Sequence, residues 1–408
     1  MNLINRRDFM KQATVYSALG AMAPQFLTQT AEAAAQSIAG FENDRVLVVV
    51  QLAGGNDGLN MLVPHSDDAY HRARPQLGLK KDRLIRINDD LSFNQKFAPM
   101  KSLYDNGELA IIQGIGYPNP NRSHFRSMEI WHTASDAEQY ESTGWIGRYF
   151  DHECSGAAQP QVGVTIGKER PQAFAGEKGL GVSFEDPQDF GWQEGVGHDS
   201  LDNFTTLNQQ HKDADGTIDF LRHVTSSAIL SSSEVRAAAE GAPKTKSSNR
   251  NPLAQTLSSI AGLIQQGLST RIYYVSASGF DTHAGQTGKH DTLLEGVGTA
   301  LEGFQQQLRK DGTASRVSTM IFSEFGRRVQ ENKSGGTDHG TAAPMFLMGD
   351  QVHAGLHGTA PSLTDLDQGD LKFTTDFRRV YASVLEDWFN VDAAATLGRS
   401  FESLKMFG

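Results

Sequence analysis

Apolar residues along this chain gather in short runs, rich in β-branched side chains and bounded by turn formers: Val46 to Leu52, Leu109 to Ile115, Arg271 to Ala277, Val317 to Phe322 and Met345 to Met348. Runs of this length and composition predict buried strands. Between the later runs the period changes. Pro252 to Gln266 and His290 to Leu308 read as helices, the second with Leu293, Leu294, Val297, Leu301, Phe304 and Leu308 at helical spacing. Strands alternating with helices predict an α/β fold whose mostly parallel central sheet is covered by helices on both faces, a three-layer sandwich. The tail from Thr374 to Phe389 reads as a closing helix. From 168 to 250 the chain turns rich in Gly, Asp, Gln and Ser and ends in the polar run Lys244 to Arg250, which predicts an inserted cap and a mobile loop rather than sheet.

The N-terminus departs from this pattern. Arg6 and Arg7 precede Phe9 and Lys11, a weakly apolar stretch runs from Ala13 to Leu27, and Ala31 to Ala35 are mostly small. This order predicts an export signal over 1–35, cleaved near Ala33 to Ala35, and a mature single domain over 36–408. Gly20, Pro24 and Gln25 interrupt the apolar stretch, which is too short to span a bilayer, and no later run is longer, so the chain does not read as an integral membrane protein. The paired arginines resemble the twin-arginine type of signal, which implies passage of the folded chain through the twin-arginine translocase into the periplasm or the medium.

Composition narrows the partners. A net charge of −11 opposes binding to nucleic acid, whose phosphates it would repel. The single cysteine, Cys154, excludes an internal disulfide framework. Small molecules or glycans are the expected substrates.

In an open α/β sheet ligands sit beyond the carboxyl ends of strands, and there the polar residues recur. The first run ends in Gly54-Gly55-Asn56-Asp57-Gly58, and the second leads to Arg122-Ser123-His124-Phe125. The third ends in Gly279-Phe280-Asp281-Thr282-His283, the fourth in Ser323-Glu324-Phe325-Gly326-Arg327, and Gly336-Thr337-Asp338-His339-Gly340 follows soon after. Carboxylate oxygens with imidazole nitrogens suit Zn²⁺, Mn²⁺ or Mg²⁺. Asp57, Asp281, His283, Glu324, Asp338 and His339 are the candidate ligands, enough for one or two divalent ions; two ions about 3.5 to 4 Å apart would clamp the attacking and leaving oxygens of a phosphate or sulfate ester. Arg327 or Arg122 would hold the anion. Simpler structural roles stand beside these: a tight turn at Gly54–Gly58 with Asp57 as a cap, and Ser123 as the cap of a following helix.

Together these motifs, with Val63-Pro64, resemble the domain-of-unknown-function 1501 family of exported proteins from about Arg45 to the C-terminus. That family is similar to the alkaline phosphatase and sulfatase superfamily, which implies an alkaline-phosphatase-like sandwich, metal at the strand ends and transfer or hydrolysis of phosphate or sulfate esters. By this resemblance Asp57 corresponds to the first metal-ligand Asp and Ser123 to the nucleophile opening a helix. Asp281 and His283 correspond to an Asp-x-x-x-His pair, here shortened to Asp-x-His. Either Glu324 or Asp338-His339 corresponds to the next Asp-His pair. His124 is open to use as acid, base, ligand or structural neighbour.

The expectation is therefore an exported metal-dependent hydrolase of phosphate, less readily sulfate, esters, with Ser123, His124 and Arg327 in catalysis. The alternative is a non-catalytic exported protein that binds a metal or a glycan on the same fold.

Overall fold

A computed structural model describes residues 37–38, 43–154, 156–157, 160–177, 181–187, 190, 232–240 and 251–408. The expected signal over 1–35, with Arg6 and Arg7, lies outside the described residues, as do 191–231 and 241–250 of the expected cap.

The strands of the central sheet are β1 (Val46–Ala53), β2 (Leu109–Gly116), β3 (Gly163–Ile166), β4 (Val182–Phe184), β5 (Ile272–Ser278) and β6 (Val317–Phe322). A hairpin of β7 (Arg327–Glu331) and β8 (Thr337–His339) interrupts the series, which resumes with β9 (Ala343–Met348), β10 (Gly355–His357) and β11 (Thr375–Asp376). The sheet runs β10-β2-β9-β6-β1-β5-β3-β4, and β11 pairs with β2. All its pairings are parallel except those of β9, which is antiparallel to both β6 and β2. The mostly parallel sheet of the sequence expectation is the one found.

β1 lies near the middle, with Val48 opposite Tyr273 on one side and Thr319 on the other. Its run Val46-Leu47-Val48-Val49-Val50 has no polar alternation because both faces are covered. Val46, Val48, Val50 and Leu52 face one core with α1 (Ala98–Asp105), α4 (Pro252–Gln265) and α5 (Gln286–Lys310), whereas Leu47 and Val49 face the other with α2 (His124–Thr133), α3 (Trp145–Glu153) and α6 (Phe377–Ser383). Each such side chain contributes about 1.5 to 3 kcal/mol on burial, so helices on one face alone would leave half of this gain unrealised.

Three details differ from the sequence expectation. Val182–Phe184, inside the stretch read as cap, is the edge strand of the sheet: three buried residues in parallel register with Val164–Ile166. α5 starts four residues before His290, because Gly285 turns left-handed (φ +54°) and the amides of Gly285 and Gln286 donate to the Ser334 and Gly335 carbonyls. The closing helix is capped by Asp376 and gives way to a π-turn over Val384–Trp388. No helix among the described residues is long and apolar enough to cross a membrane.

Candidate metal centre

The ends of β1, β5 and β6 come together because Gly54 lets them. At φ +118° it takes a conformation closed to most residues, and a Cβ there would lie 2.5 Å from the Asp281 amide nitrogen. Arg327 fills the junction. It is 1% exposed; Nε donates to the Gly55 carbonyl (2.5 Å), Nη1 to Thr337 (2.9 Å), and Nη2 to Gly54, to Phe280 (3.1 Å) and to Asp281 Oδ1 (2.7 Å). These bonds correct the expected role. A guanidinium engaged by four backbone carbonyls and a carboxylate positions loops and has no edge to offer a substrate anion.

Around this junction four donor atoms converge. His339 Nε2 lies 3.1 Å from His124 Nε2, 2.8 Å from His283 Nε2 and 3.2 Å from Asp281 Oδ1. Asp281 Oδ1 is also 2.9 Å from His283 Nε2 and 3.5 Å from His124 Nε2. The ligand atoms of His124, Asp281 and His339 all fall within 4.8 Å of one another.

The far nitrogen of each ring shows which tautomer is present. His339 Nδ1 is 2.8 Å from the Arg122 carbonyl, which can only accept, so Nδ1 carries the proton and Nε2 a lone pair. His124 Nδ1 donates in the same way to Glu324 Oε1 at 2.8 Å, and His283 Nδ1 faces Asp338 Oδ1 at 3.4 Å. With the rings of His124 and His339 in these tautomers, their Nε2 atoms face each other as acceptors beside the Asp281 carboxylate, whereas His283 Nε2 is close enough to donate to Asp281 Oδ1 at 2.9 Å. Two such lone pairs repel at this range unless a cation lies between them, a metal ion or a shared proton. Burial, followed by the nearby charge of Arg327, holds His339 below the ordinary imidazole value, although its contacts with the Arg122 carbonyl and the Asp281 carboxylate favour the charged form. Burial would raise the Asp281 carboxyl, but above all the bond from Arg327 holds it at about 2, so it is ionised. Three imidazoles and a carboxylate, each imidazole backed at its other nitrogen by an oxygen, fit a borderline divalent ion such as Zn²⁺. The rings of His124 and His339 rest on buried Phe325, with centroids 4.8 and 5.0 Å away.

The expected ligands therefore separate. Asp281, His283 and His339 meet in one cluster, and His124, expected in catalysis, joins them. Glu324 is 2% exposed and Asp338 largely exposed; both stand behind imidazoles, Glu324 further fixed by the Gly54 amide (2.9 Å). Asp57 is elsewhere. Wholly buried, it pairs with Arg74 Nη1 at 2.7 and 2.9 Å and accepts from Gln286 Nε2 at 2.5 Å. Burial opposes its charge, but Arg74 and His290 outweigh burial and hold its carboxyl below the ordinary value. Ser123 is exposed at the N-cap of α2, where its side chain caps no amide. Sequence reasoning missed Arg74, Gln286, Thr282 and Thr337. The last two were signalled only by standing beside ligands in Asp281-Thr282-His283 and Thr337-Asp338-His339.

The family model described as "Protein of unknown function (DUF1501)" matches residues 197–396, a span that contains three of the four clustered donors. No curated protein matches the chain. Among solved structures it is similar to the lipoteichoic acid synthase LtaP from Listeria monocytogenes, with 10% identity over 90% of this chain and 78% of that one and a TM-score of 0.36. It is similar to a protein in the alkaline phosphatase superfamily from Vibrio parahaemolyticus (10%, 92% and 77%, 0.36) and to the PsFucS1 sulfatase from Pseudoalteromonas sp. (10%, 89% and 71%, 0.38).

Proposed function

Given that this chain belongs, through residues 197–396, to the DUF1501 family, we propose that it is an exported, metal-dependent hydrolase of phosphate esters on small molecules or glycans. One observation carries the reading: the Nε2 atoms of His124 and His339 face each other at 3.1 Å, beside ionised Asp281. His124, Asp281, His283 and His339 would hold one divalent ion, not two. A divalent ion supplies Lewis-acid polarisation of an ester oxygen and eases ionisation of a nearby hydroxyl.

The chain's own residues do the rest. Ser123 immediately precedes His124 and opens α2, where amide dipoles favour a developing negative charge. Its Oγ gives its proton to solvent and attacks phosphorus, the P–O bond to the alcohol breaks as that oxygen takes a proton from solvent, and water then splits the phosphoserine, its oxygen leaving in phosphate and a proton returning to the serine. Holding the anion falls to Arg122, whose side chain is paired with Asp370 but still 36% exposed, because Arg327 is enclosed. No Cys/Ser-x-Pro-x-Arg segment of the sulfatase kind surrounds Ser123, where the chain reads Ser123-His124-Phe125-Arg126, which favours phosphate over sulfate. Export rests on residues 1–35 and their resemblance to a twin-arginine signal.

A second reading has its own support. Four protein donors on one ion would leave no open position, the usual mark of a structural rather than a catalytic ion, and this favours an exported metal-binding protein without turnover. Elemental analysis of the purified protein, with a panel of aryl phosphates and sulfates tested on wild type and Ser123→Ala, separates the two. About one ion per chain with phosphatase activity lost in Ser123→Ala supports the hydrolase. An ion without turnover supports the binder, and a metal-free protein that takes up none overturns both.

A further inference from the structure

Beneath the cluster lies a closed polar network, and we propose that Gln286, oriented by the buried Asp57–Arg74 pair, is a positioning residue that sets the two ligand-bearing loops for metal. The inference rests on the metal reading above and assigns Asp57 to this network instead of to the ion.

Gln286, Thr337, Thr282 and Asp57 are at most 2% exposed. The ionised Asp57 carboxylate can only accept, so the Gln286 amide must turn its NH₂ toward it, at 2.5 Å. Its Oε1 then faces the other way and accepts from Thr337 Oγ1 at 2.7 Å and Thr282 Oγ1 at 3.1 Å. Both lone pairs of that oxygen are used, and reversal of the amide would set NH₂ against two hydroxyls and an oxygen against a carboxylate. Thr282 lies between Asp281 and His283; Thr337 lies two residues before His339 and donates its amide to the Thr282 carbonyl at 3.3 Å. One side chain therefore ties the segment bearing two of the four donors to the segment bearing a third. Arg74 fixes the far side of the same hairpin, donating to the carbonyls of Val329 and Arg328 at 2.9 Å each and to Asn60 Oδ1 at 2.7 Å. None of these atoms touches the four donors directly, so the network acts on their spacing.

The test is Zn²⁺ affinity, by competition with a chromophoric chelator, for wild type, the Thr282→Val/Thr337→Val pair, the Thr282→Ser/Thr337→Ser pair and His283→Ala. Valine keeps the shape and removes the hydroxyl; serine keeps the hydroxyl. The valine pair should bind about 10-fold to 100-fold more weakly, and the serine pair within about threefold of wild type. Should the valine pair fail to fold by circular dichroism, single Thr337→Val carries the same comparison against Thr337→Ser. Equal affinity of valine and serine variants, with wild type and His283→Ala clearly different, overturns the positioning role and leaves the metal reading intact. A wild-type protein without Zn²⁺ affinity overturns both.

Discussion

His124 Nε2 and His339 Nε2 stand 3.1 Å apart although 215 positions separate them in sequence, each ring hydrogen-bonded through Nδ1 to an oxygen behind it. Two unconnected parts of the chain, the start of α2 and the hairpin after β6, thereby turn imidazole nitrogens to a common point.

Glu324 should matter to that point without touching it. Glu324→Gln removes the charge that fixes His124 and weakens the acceptor for Nδ1. Zn²⁺ affinity measured by chelator competition should fall about 10-fold to 100-fold with the far-UV spectrum unchanged; an unaltered affinity would free His124 from this partner.

Asp57 should report on stability before metal. Asp57→Asn leaves Arg74, 1% exposed, as a buried cation without its counterion, so urea denaturation should show a loss of about 3 to 5 kcal/mol. Arg74→Met with Asp57→Leu, which removes both charges, should recover much of it. A small loss in Asp57→Asn that equals that of an exposed control would contradict the pairing.

Two neighbouring glycines give a steric contrast. A Cβ on Gly336 would lie 2.3 Å from the His283 carbonyl carbon and 2.5 Å from the Thr282 oxygen, so Gly336→Ala must push the ligand-bearing loops apart. Gly335, at φ +66°, has open space around it. Gly335→Ala should therefore cost only backbone strain, about 1 kcal/mol, and spare Zn²⁺ binding, whereas Gly336→Ala should reduce both stability and affinity. Equal Zn²⁺ affinity in the two variants would be the contrary result.

Acid should destabilise the fold before the carboxylates titrate. Burial pushes His132 and His290 down to about 4, and each is hydrogen-bonded as a neutral ring, His132 to Tyr274 and His290 to Asn56. Below about pH 6.5 the unfolded chain takes up protons at these rings that the folded chain refuses, so stability falls as pH drops from there to about 4 and is flat above. Each ring accounts for up to about 3 kcal/mol over that range. In His132→Gln the melting temperature should depend less steeply on pH across this window; an unchanged slope would exclude His132.

The layers of the fold were legible because burial on both faces leaves a direct mark: Val46 to Leu52 has no polar interruption, and Leu294, Val297, Leu301, Phe304 and Leu308 form the buried stripe their spacing predicts. The edge strand Val182–Phe184 was hidden, since three residues among glycines and acids carry too little pattern. At the site, strand-end position picked out residues that the fold does bring together, Asp281, His283 and His339, but not what each one faces. Whether a carboxylate joins the imidazole nitrogens at the centre of the cluster or stands behind a ring depends on geometry that residue type does not encode, as Asp281 and Glu324 illustrate. Asp57 was misdirected by a partner 17 positions away, since nothing in the local motif announces Arg74. The Arg122 carbonyl that fixes His339 is backbone and has no sequence signature at all.

Arg327 gives the protein a permanent internal cation where the loops after β1, β5 and β6 meet. Its charge and five acceptors hold those loops in register on their own account, so the clustered side chains owe their places to the polypeptide itself. A metal bound there as proposed would exchange as a reversible equilibrium, with affinity set by the spacing of the donors and not by the cost of refolding the polypeptide around them.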